Sequence, residues 1–287
     1  MQKVTFSKYS GAGNDFVLID KKLNPNLKIK PETIINLCDR RNGIGADGVL
    51  LISDSVKNNF TMEYFNADSS GGMLCANGAR CALDYAKLTG RIEGSKANFT
   101  SNNVDYSGEI ITENKVKFNL NNPDEFKFNF KVKAGGQLIN SSYVNSGSPH
   151  VVINIEDILA DPKNLNSVYK NIDGVPVFEL GREIRNLPEF KPGGTNVNFI
   201  KIENGKIFIR SFERGVEDET LACGTGIVAS ALISFFNYKI EPPVELIAKS
   251  GETLTVDFKV ENKELKKVTN VSLTGSAKEI FKGEILI

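Results

Sequence analysis

The sequence predicts an α+β protein of two pseudo-symmetric domains, each an antiparallel sheet curled around one central helix. Three observations carry this expectation. Short β-rich segments dominate both halves of the chain, and helical patterns are few. Two stretches, Met73-Leu74-Cys75-Ala76-Asn77-Gly78 and Leu221-Ala222-Cys223-Gly224-Thr225-Gly226, each set a cysteine before a small, Gly-containing turn and an apolar helical run. A second pair of segments also corresponds, Gly13-Asn14-Asp15-Phe16-Val17 with Gly147-Ser148-Pro149-His150-Val151. The halves therefore read as a diverged repeat.

In chain order, Val4–Tyr9, Asp15–Asp20, Gly48–Ser53, Phe60–Ala67, Tyr106–Thr112 and Lys115–Asn121 read as strands. Val116, Phe118 and Leu120 alternate with polar residues, as do Phe126, Phe128, Phe130 and Val132, which suits half-buried antiparallel strands. Ile207–Phe212 and Leu254–Val260 complete the strand pattern. Pro31–Cys38 is a helix with Pro in its first turn, stopping near Asn42-Gly43. Asn77–Leu88 is a helix ended by Thr89-Gly90. Gly226–Phe236 is apolar nearly all round and predicts a helix buried on every side. The polar stretch Leu120–Phe126, with Pro123, marks a boundary between domains 1–122 and 123–275. Segment 276–287 is expected to return to complete the first.

The 287 residues are 40% hydrophobic, enough for a substantial core, and Lys+Arg equal Asp+Glu at 35 each. Such a balance steers the protein toward neither nucleic acid nor an acidic membrane. The start, Met1-Gln2-Lys3-Val4-Thr5-Phe6, lacks a signal-peptide core, so a cytoplasmic location is expected. Four cysteines (Cys38, Cys75, Cys81, Cys223) without a C-x-x-C pair do not form a disulfide framework. With a single histidine, His150, a His-rich metal site is excluded, and no metal is expected. Cys38 and Cys81 read as small buried hydrophobes.

Cys75 and Cys223 read differently. A helix N-terminus favours an anion and lowers a thiol's pKa from about 8.5. Two such thiols facing one bound acid could move a proton from one face of a carbon to the other. An amino-acid carbanion needs either a pyridoxal electron sink or fixed dipoles in a dry site. Two helix N-termini aimed at one carboxylate supply the second.

The chain resembles the diaminopimelate epimerase family, nearly end to end. The resemblance rests on Gly11-Ala12-Gly13-Asn14-Asp15-Phe16, Gly43-Ile44-Gly45-Ala46-Asp47-Gly48, Phe65-Asn66-Ala67-Asp68 and Cys75-Ala76-Asn77-Gly78-Ala79-Arg80-Cys81. It continues through Ser148-Pro149-His150, Thr195-Asn196-Val197-Asn198-Phe199, Glu213-Arg214-Gly215 and Glu219-Thr220-Leu221-Ala222-Cys223-Gly224-Thr225-Gly226. It implies a pyridoxal-independent isomerase that interconverts LL- and meso-diaminopimelate, with Cys75 and Cys223 as the two bases and no cofactor. Ala76-Asn77 and Gly224-Thr225 would bind the reacting carboxylate through backbone N–H groups. Asn14, Asn66, Asn196 and Arg214 match substrate-contacting positions, and Arg214 can grip a second carboxylate bidentately. His150 and Glu213 match polar residues near the reacting amino group and the thiols. Asp47 and Asp68 read as turn-forming or supporting residues, and Arg80 equally as a solvated charge. A homodimer is the assembly the resemblance implies.

Departures from the family pattern stand at Ala76 (often Gly), Ser69 (often Gly), Gly48 (often Gln) and Ser148 (often Asn). They bear on substrate preference more than on reaction type. Rival readings are a racemase of another amino acid on the same scaffold, a non-catalytic amino-acid-binding protein, and a dithiol redox protein, which the missing C-x-x-C disfavours.

Overall fold

The computed structural model describes residues 2–71 and 74–287. Met1 and Met73, which open two of the stretches read above, lie outside the described residues, as does Gly72. The chain divides into two compact units, Met1–Asn119 with Thr274–Ile287, and Leu120–Leu273.

The first unit holds strands β1 (Lys3–Gly11), β2 (Asn14–Asp20), β3 (Gly48–Ser53), β4 (Phe60–Asn66), β5 (Lys96–Ser101), β6 (Val104–Thr112) and β7 (Lys115–Asn119). Its helices are α1 (Pro31–Cys38) and α2 (Ala76–Leu88). A last strand, β17 (Lys278–Leu286), pairs antiparallel with β1. β1 and β2 form a hairpin whose turn residues, Ala12 and Gly13, both have positive φ (58° and 90°). A two-residue turn that follows the strand twist needs that geometry at both positions. The Ala12 N–H donates to Ser276 Oγ at 3.0 Å.

β2 runs parallel to β3 and β4 parallel to β5, while β3–β4, β5–β6 and β6–β7 are antiparallel. The sheet is thus mixed rather than wholly antiparallel, because a helical connection returns the chain to start a parallel neighbour. β2 and β3 read as continuous apolar runs because both faces are covered. Val17, Ile19, Val49 and Leu51 pack with Ile34 and Leu37 of α1. On the opposite face Phe16 and Leu50 meet the start of α2 at Gly78. Residues Ala76 through Ala86 of α2 are all buried.

The second unit repeats the plan. Its strands are β8 (Asp124–Ala134), β9 (Gln137–Asn145), β10 (Pro149–Asn154), β11 (Asn196–Glu203), β12 (Lys206–Glu213), β13 (Asp218–Thr220), β14 (Val244–Ile247) and β15 (Thr253–Asn262), and β16 (Lys267–Ser276) begins in it, its last three residues belonging to the first unit. α3 (Val177–Arg185) and α4 (Gly224–Tyr238) are its helices. β10 is antiparallel to β9 and parallel to β11, as β2 is to β1 and β3. His150 faces Asn196 across β10–β11, and Phe16 faces Gly48 across β2–β3. α4 is buried from Gly226 through Phe235, as its uniform apolarity predicts.

α3, not among the expected helices, buries Val177, Leu180, Gly181 and Ile184 at i, i+3, i+4, i+7 spacing. A Cβ at Gly181 would sit 2.4 Å from Phe212 Cβ, so glycine lets α3 lie directly on β12. Around that contact Val177, Leu180, Ile184, Val197, Phe199 and Phe212 form a core. Arg80 corrects the reading as a solvated charge. It is 0% exposed and donates to Asn77 Oδ1 (2.9 Å), Ala76 O (3.3 Å) and Ser276 O (3.3 Å). A buried guanidinium persists only where several acceptors hold it.

Candidate active site

Each cysteine stretch ends in a helix cap of the same shape. Cys75 is the N-cap of α2 at φ −96°, ψ 114°, and Cys223 the N-cap of α4 at φ −103°, ψ 108°. The first intrahelical bonds run from Ala79 N–H to Cys75 O (2.8 Å) and from Ile227 N–H to Cys223 O (2.9 Å). The amides of Ala76-Asn77 and Gly224-Thr225 fall in the first turns, where helix N–H groups point along the axis toward the cap and the dipole is positive. The Cys75 sulfur accepts the Gly78 N–H at 3.4 Å. Cys223 is 6% exposed, and Cys75 is half-buried. Cys38 and Cys81 are buried, and burial pushes the Cys38 thiol up to about 11 and the Cys81 thiol higher still. Both are inert thiols.

In the first unit Asn14 stands beside Cys75, its Oδ1 3.6 Å from Sγ and 3.5 Å from Asn77 Nδ2. Its amide orientation is set from behind, where Nδ2 donates to Asp47 Oδ2 at 2.5 Å. Asp47 belongs to a charge cluster with Arg40, Asp15 and the nearly buried Lys8. Lys8 also donates to Gly45 O. Burial works to raise the Asp15 carboxyl, but Arg40 and Lys8 outweigh it and hold it at about 2. Asn66 closes β4, accepting the Tyr64 hydroxyl at 2.6 Å and donating to Ser70 Oγ at 2.9 Å. Asp68 accepts from Ser70, as a turn residue does.

Three of the departures from the family pattern can be placed in their local backbone. Ala76 is the first residue of α2 and carries no positive φ, so its methyl imposes no backbone strain. Ser69 has φ +70°, the left-handed conformation that a glycine adopts without strain. At Gly48 a Cβ would lie 2.5 Å from Phe65 O and 2.6 Å from the Tyr64 ring. The space a longer side chain would take is filled by the ring whose hydroxyl holds Asn66.

In the second unit Thr225 Oγ1 lies 3.7 Å from Cys223 Sγ, 2.8 Å from His150 Nε2 and 3.1 Å from Ser148 Oγ. Ser148 Oγ is also 2.9 Å from His150 Nε2. His150 is 0% exposed, and burial, aided by the positive charge of Arg214, pushes it down to about 3. Burial therefore favours the neutral imidazole. Asn196 donates to Pro149 O at 2.8 Å and accepts the Arg214 backbone N–H at 2.9 Å, so it fixes where Arg214 leaves β12. The Arg214 guanidinium reaches Gly193 O at 3.4 Å. Glu213 accepts the Thr220 hydroxyl.

The sequence-predicted residues thus gather in two clusters, one in each unit. Asn14, Ala76 and Asn77 lie with Cys75 at the start of α2, with Asn66 and Gly48 paired across β3–β4. Ser148, His150, Gly224 and Thr225 lie with Cys223 at the start of α4, with Asn196 tied to Ser148 and to the Arg214 backbone, and Glu213 ending β12. Asn198 and Ser211 were missed as members of the second cluster. Asn198 Nδ2 lies 3.0 Å from His150 Nδ1, and its Oδ1 accepts Ser211 Oγ at 2.9 Å. The available clue was a second asparagine, two residues after Asn196, in the buried start of β11. Among the described residues no group of three or more His, Cys, Asp or Glu could hold a metal ion. No helix among them is long and apolar enough to cross a membrane.

Comparison with known proteins agrees with this arrangement. Among solved structures, a PhzF-family phenazine biosynthesis protein from Bacillus anthracis superposes with TM-score 0.71 at 14% identity, over 100% of both chains. A hydroxyproline epimerase from Agrobacterium vitis superposes with TM-score 0.70 at 11% identity, over 99% of this chain and 91% of its own. At these identities the likeness shows the fold. The diaminopimelate epimerase of Aquifex aeolicus is 38% identical over 98% of this chain and 97% of its own length. That of Chlorobaculum tepidum is 38% identical over 97% and 100%. The family model for diaminopimelate epimerase matches residues 6–124 and 142–279. With both of its segments matched and relatives this similar along their whole length, the chain belongs to the diaminopimelate epimerase family.

Proposed function

We propose that the protein interconverts LL- and meso-2,6-diaminopimelate without pyridoxal phosphate, supplying lysine and peptidoglycan precursors. Cys75 and Cys223 act as the two bases at the reacting α-carbon. One thiolate removes the α-proton, and the other thiol delivers a proton from the opposite face. The single observation that carries this reading is that both cysteines cap the buried central helix of matching units, in a chain of this family. The first-turn amides of Ala76-Asn77 and Gly224-Thr225 hold the reacting carboxylate as it gains enolate character. Arg214 takes the distal carboxylate, with Asn14, Asn66 and Asn196 orienting the substrate around it. His150, Ser148, Gly48 and Glu213 shape the surroundings of the thiols and the amino group. We further propose two domains, 1–122 with 276–287 and 123–275, a cytoplasmic location and a homodimer.

The test is α-deuterium incorporation from heavy water into diaminopimelate stereoisomers, with no pyridoxal phosphate added. Exchange in both LL- and meso-isomers is expected. Exchange in another amino acid but not in diaminopimelate would replace the substrate assignment, and exchange in neither would remove the catalytic one.

A further inference from the structure

We propose that Asn198 is a positioning residue: it holds His150 with its proton on Nε2, and this tautomer turns the Thr225 hydroxyl hydrogen toward Cys223. The inference rests on the proposed role of Cys223 as a base. It concerns a chain of five polar side chains in the second unit, Ser211, Asn198, His150, Ser148 and Thr225, of which all but Thr225 are buried.

The assignment follows from counting donors and acceptors. Asn198 Oδ1 accepts the Ser211 hydroxyl at 2.9 Å. Its Nδ2 then faces two acceptors, Val151 O at 3.1 Å and His150 Nδ1 at 3.0 Å. Reversing the amide would aim Oδ1 at the Val151 carbonyl, an acceptor only, so Val151 fixes the orientation, while the Ser211 hydroxyl could serve either way. Nδ1 must therefore accept, and a neutral imidazole that accepts at Nδ1 carries its hydrogen on Nε2. Nε2–H donates to Thr225 Oγ1 at 2.8 Å, with Ser148 Oγ at 2.9 Å as a second acceptor. The opposite tautomer would present a lone pair at Nε2, and the Thr225 hydroxyl would spend its hydrogen there. With the proton on Nε2, that hydrogen is left for Cys223 Sγ at 3.7 Å or Ser148 Oγ at 3.1 Å. A thiolate at a helix N-terminus is the charged acceptor of the two, and charge-assisted bonds are the stronger.

The first unit supplies an internal contrast. There the start of α2 rests on Leu50 Cδ2 and Phe16 Cε1 at the Cβ site of Gly78. In the second unit the corresponding glycine, Gly226, rests on Asn198 Oδ1. Two helix starts of the same shape thus sit on an apolar floor in one unit and on a fully paired polar floor in the other. Burying Asn198 and His150 at 0% exposure has a desolvation cost that packing alone does not require, since the first unit manages with Phe16 and Leu50.

His150 is the only histidine in the chain, so a histidine-labelled sample gives one imidazole in a nitrogen-15 spectrum. The wild-type protein is expected to show the proton on Nε2 across the neutral range; a proton on Nδ1 overturns the proposal, whatever the enzyme's activity. Asn198→Asp should place a proton on Nδ1, and a spectrum identical to wild type would remove control from Asn198. Thr225→Val keeps the backbone amide but lacks the hydroxyl. Its Cys223 is expected to react with iodoacetamide about fivefold more slowly at pH 7, with Cys75 unchanged. Thr225→Ser should restore the rate. Equal Cys223 rates in Thr225→Val and wild type would overturn the link from Thr225 to the sulfur, and neither readout depends on which substrate the enzyme takes.

Discussion

Gly78→Ala and Gly226→Ala place the same methyl group in the first turns of two matching helices, yet their effects should differ. At Gly226 the new Cβ would lie 2.3 Å from Asn198 Oδ1 and 3.2 Å from Cys223 Cβ. Asn198 would have to retreat by about 1 Å to reach ordinary contact. It is tied to Ser211 (2.9 Å), His150 Nδ1 (3.0 Å) and Val151 O (3.1 Å), and all of these groups are buried. Weakening two buried hydrogen bonds costs about 2–3 kcal/mol. The helix gains at most about 1 kcal/mol from replacing glycine by alanine, leaving a net loss of about 2 kcal/mol. At Gly78 the nearest atom is Leu50 Cδ2 at 2.9 Å, the end of a side chain that can rotate aside. There strain and helix propensity nearly cancel, and a change within about 0.5 kcal/mol is expected. Urea unfolding of the two variants against wild type measures both values. Equal losses, or a stabilised Gly226→Ala, would refute the claim that the floor beneath α4 is the stiffer one.

Cys75→Ala and Cys223→Ala should each abolish epimerisation in a deuterium-exchange assay, and full turnover in either would remove the two-base mechanism. Asp15, held at about 2 against an ordinary 3.8, stabilises the fold above pH 4 and loses that contribution as pH falls toward 2. Asp15→Asn should therefore flatten the acid limb of a melting-temperature profile over that window, and an unchanged limb would refute the assignment. Asp84 has the opposite sign. Burial, with the charges of Glu279 and Glu113, lifts it to about 6 despite a hydrogen bond from Tyr9. Its favourable, protonated form is complete below pH 4, and stability is lost as pH rises through 6. Asp84→Asn should gain up to about 3 kcal/mol at pH 8 and nothing at pH 4, as read by urea unfolding at the two pH values.

Part of this architecture could be read from residues alone because the cause was local. The caps of α2 and α4 follow from a cysteine, a small-residue turn and an apolar run, all within a few positions. α1 matched its expected bounds, since Pro31 fixes its start. Other features depend on partners remote in the chain. β9 (QLINSSYVN) looks polar, yet Ser141 and Ser142 are buried because its neighbours cover it. Arg80 looked like surface charge because its acceptors include Ser276 O, contributed by the far end of the sequence. Asn198 and Ser211 acquire meaning only when β10, β11 and β12 align them with His150. A polar network assembled from three strands leaves no periodic trace in any one of them.

The pairing of β1 with β17 bears on how the chain matures on the ribosome. Lys3 is registered against Leu286, so β1 waits for a strand that is synthesised only after the whole of residues 120–273. Residues 120–273 emerge as a contiguous block and can condense while β1 still shows an unsatisfied edge. That exposed edge is a site for chaperone capture or intermolecular pairing until β17 arrives to cover it. A released chain truncated before residue 278 should therefore show a protease-resistant second unit attached to a first unit that remains open to attack.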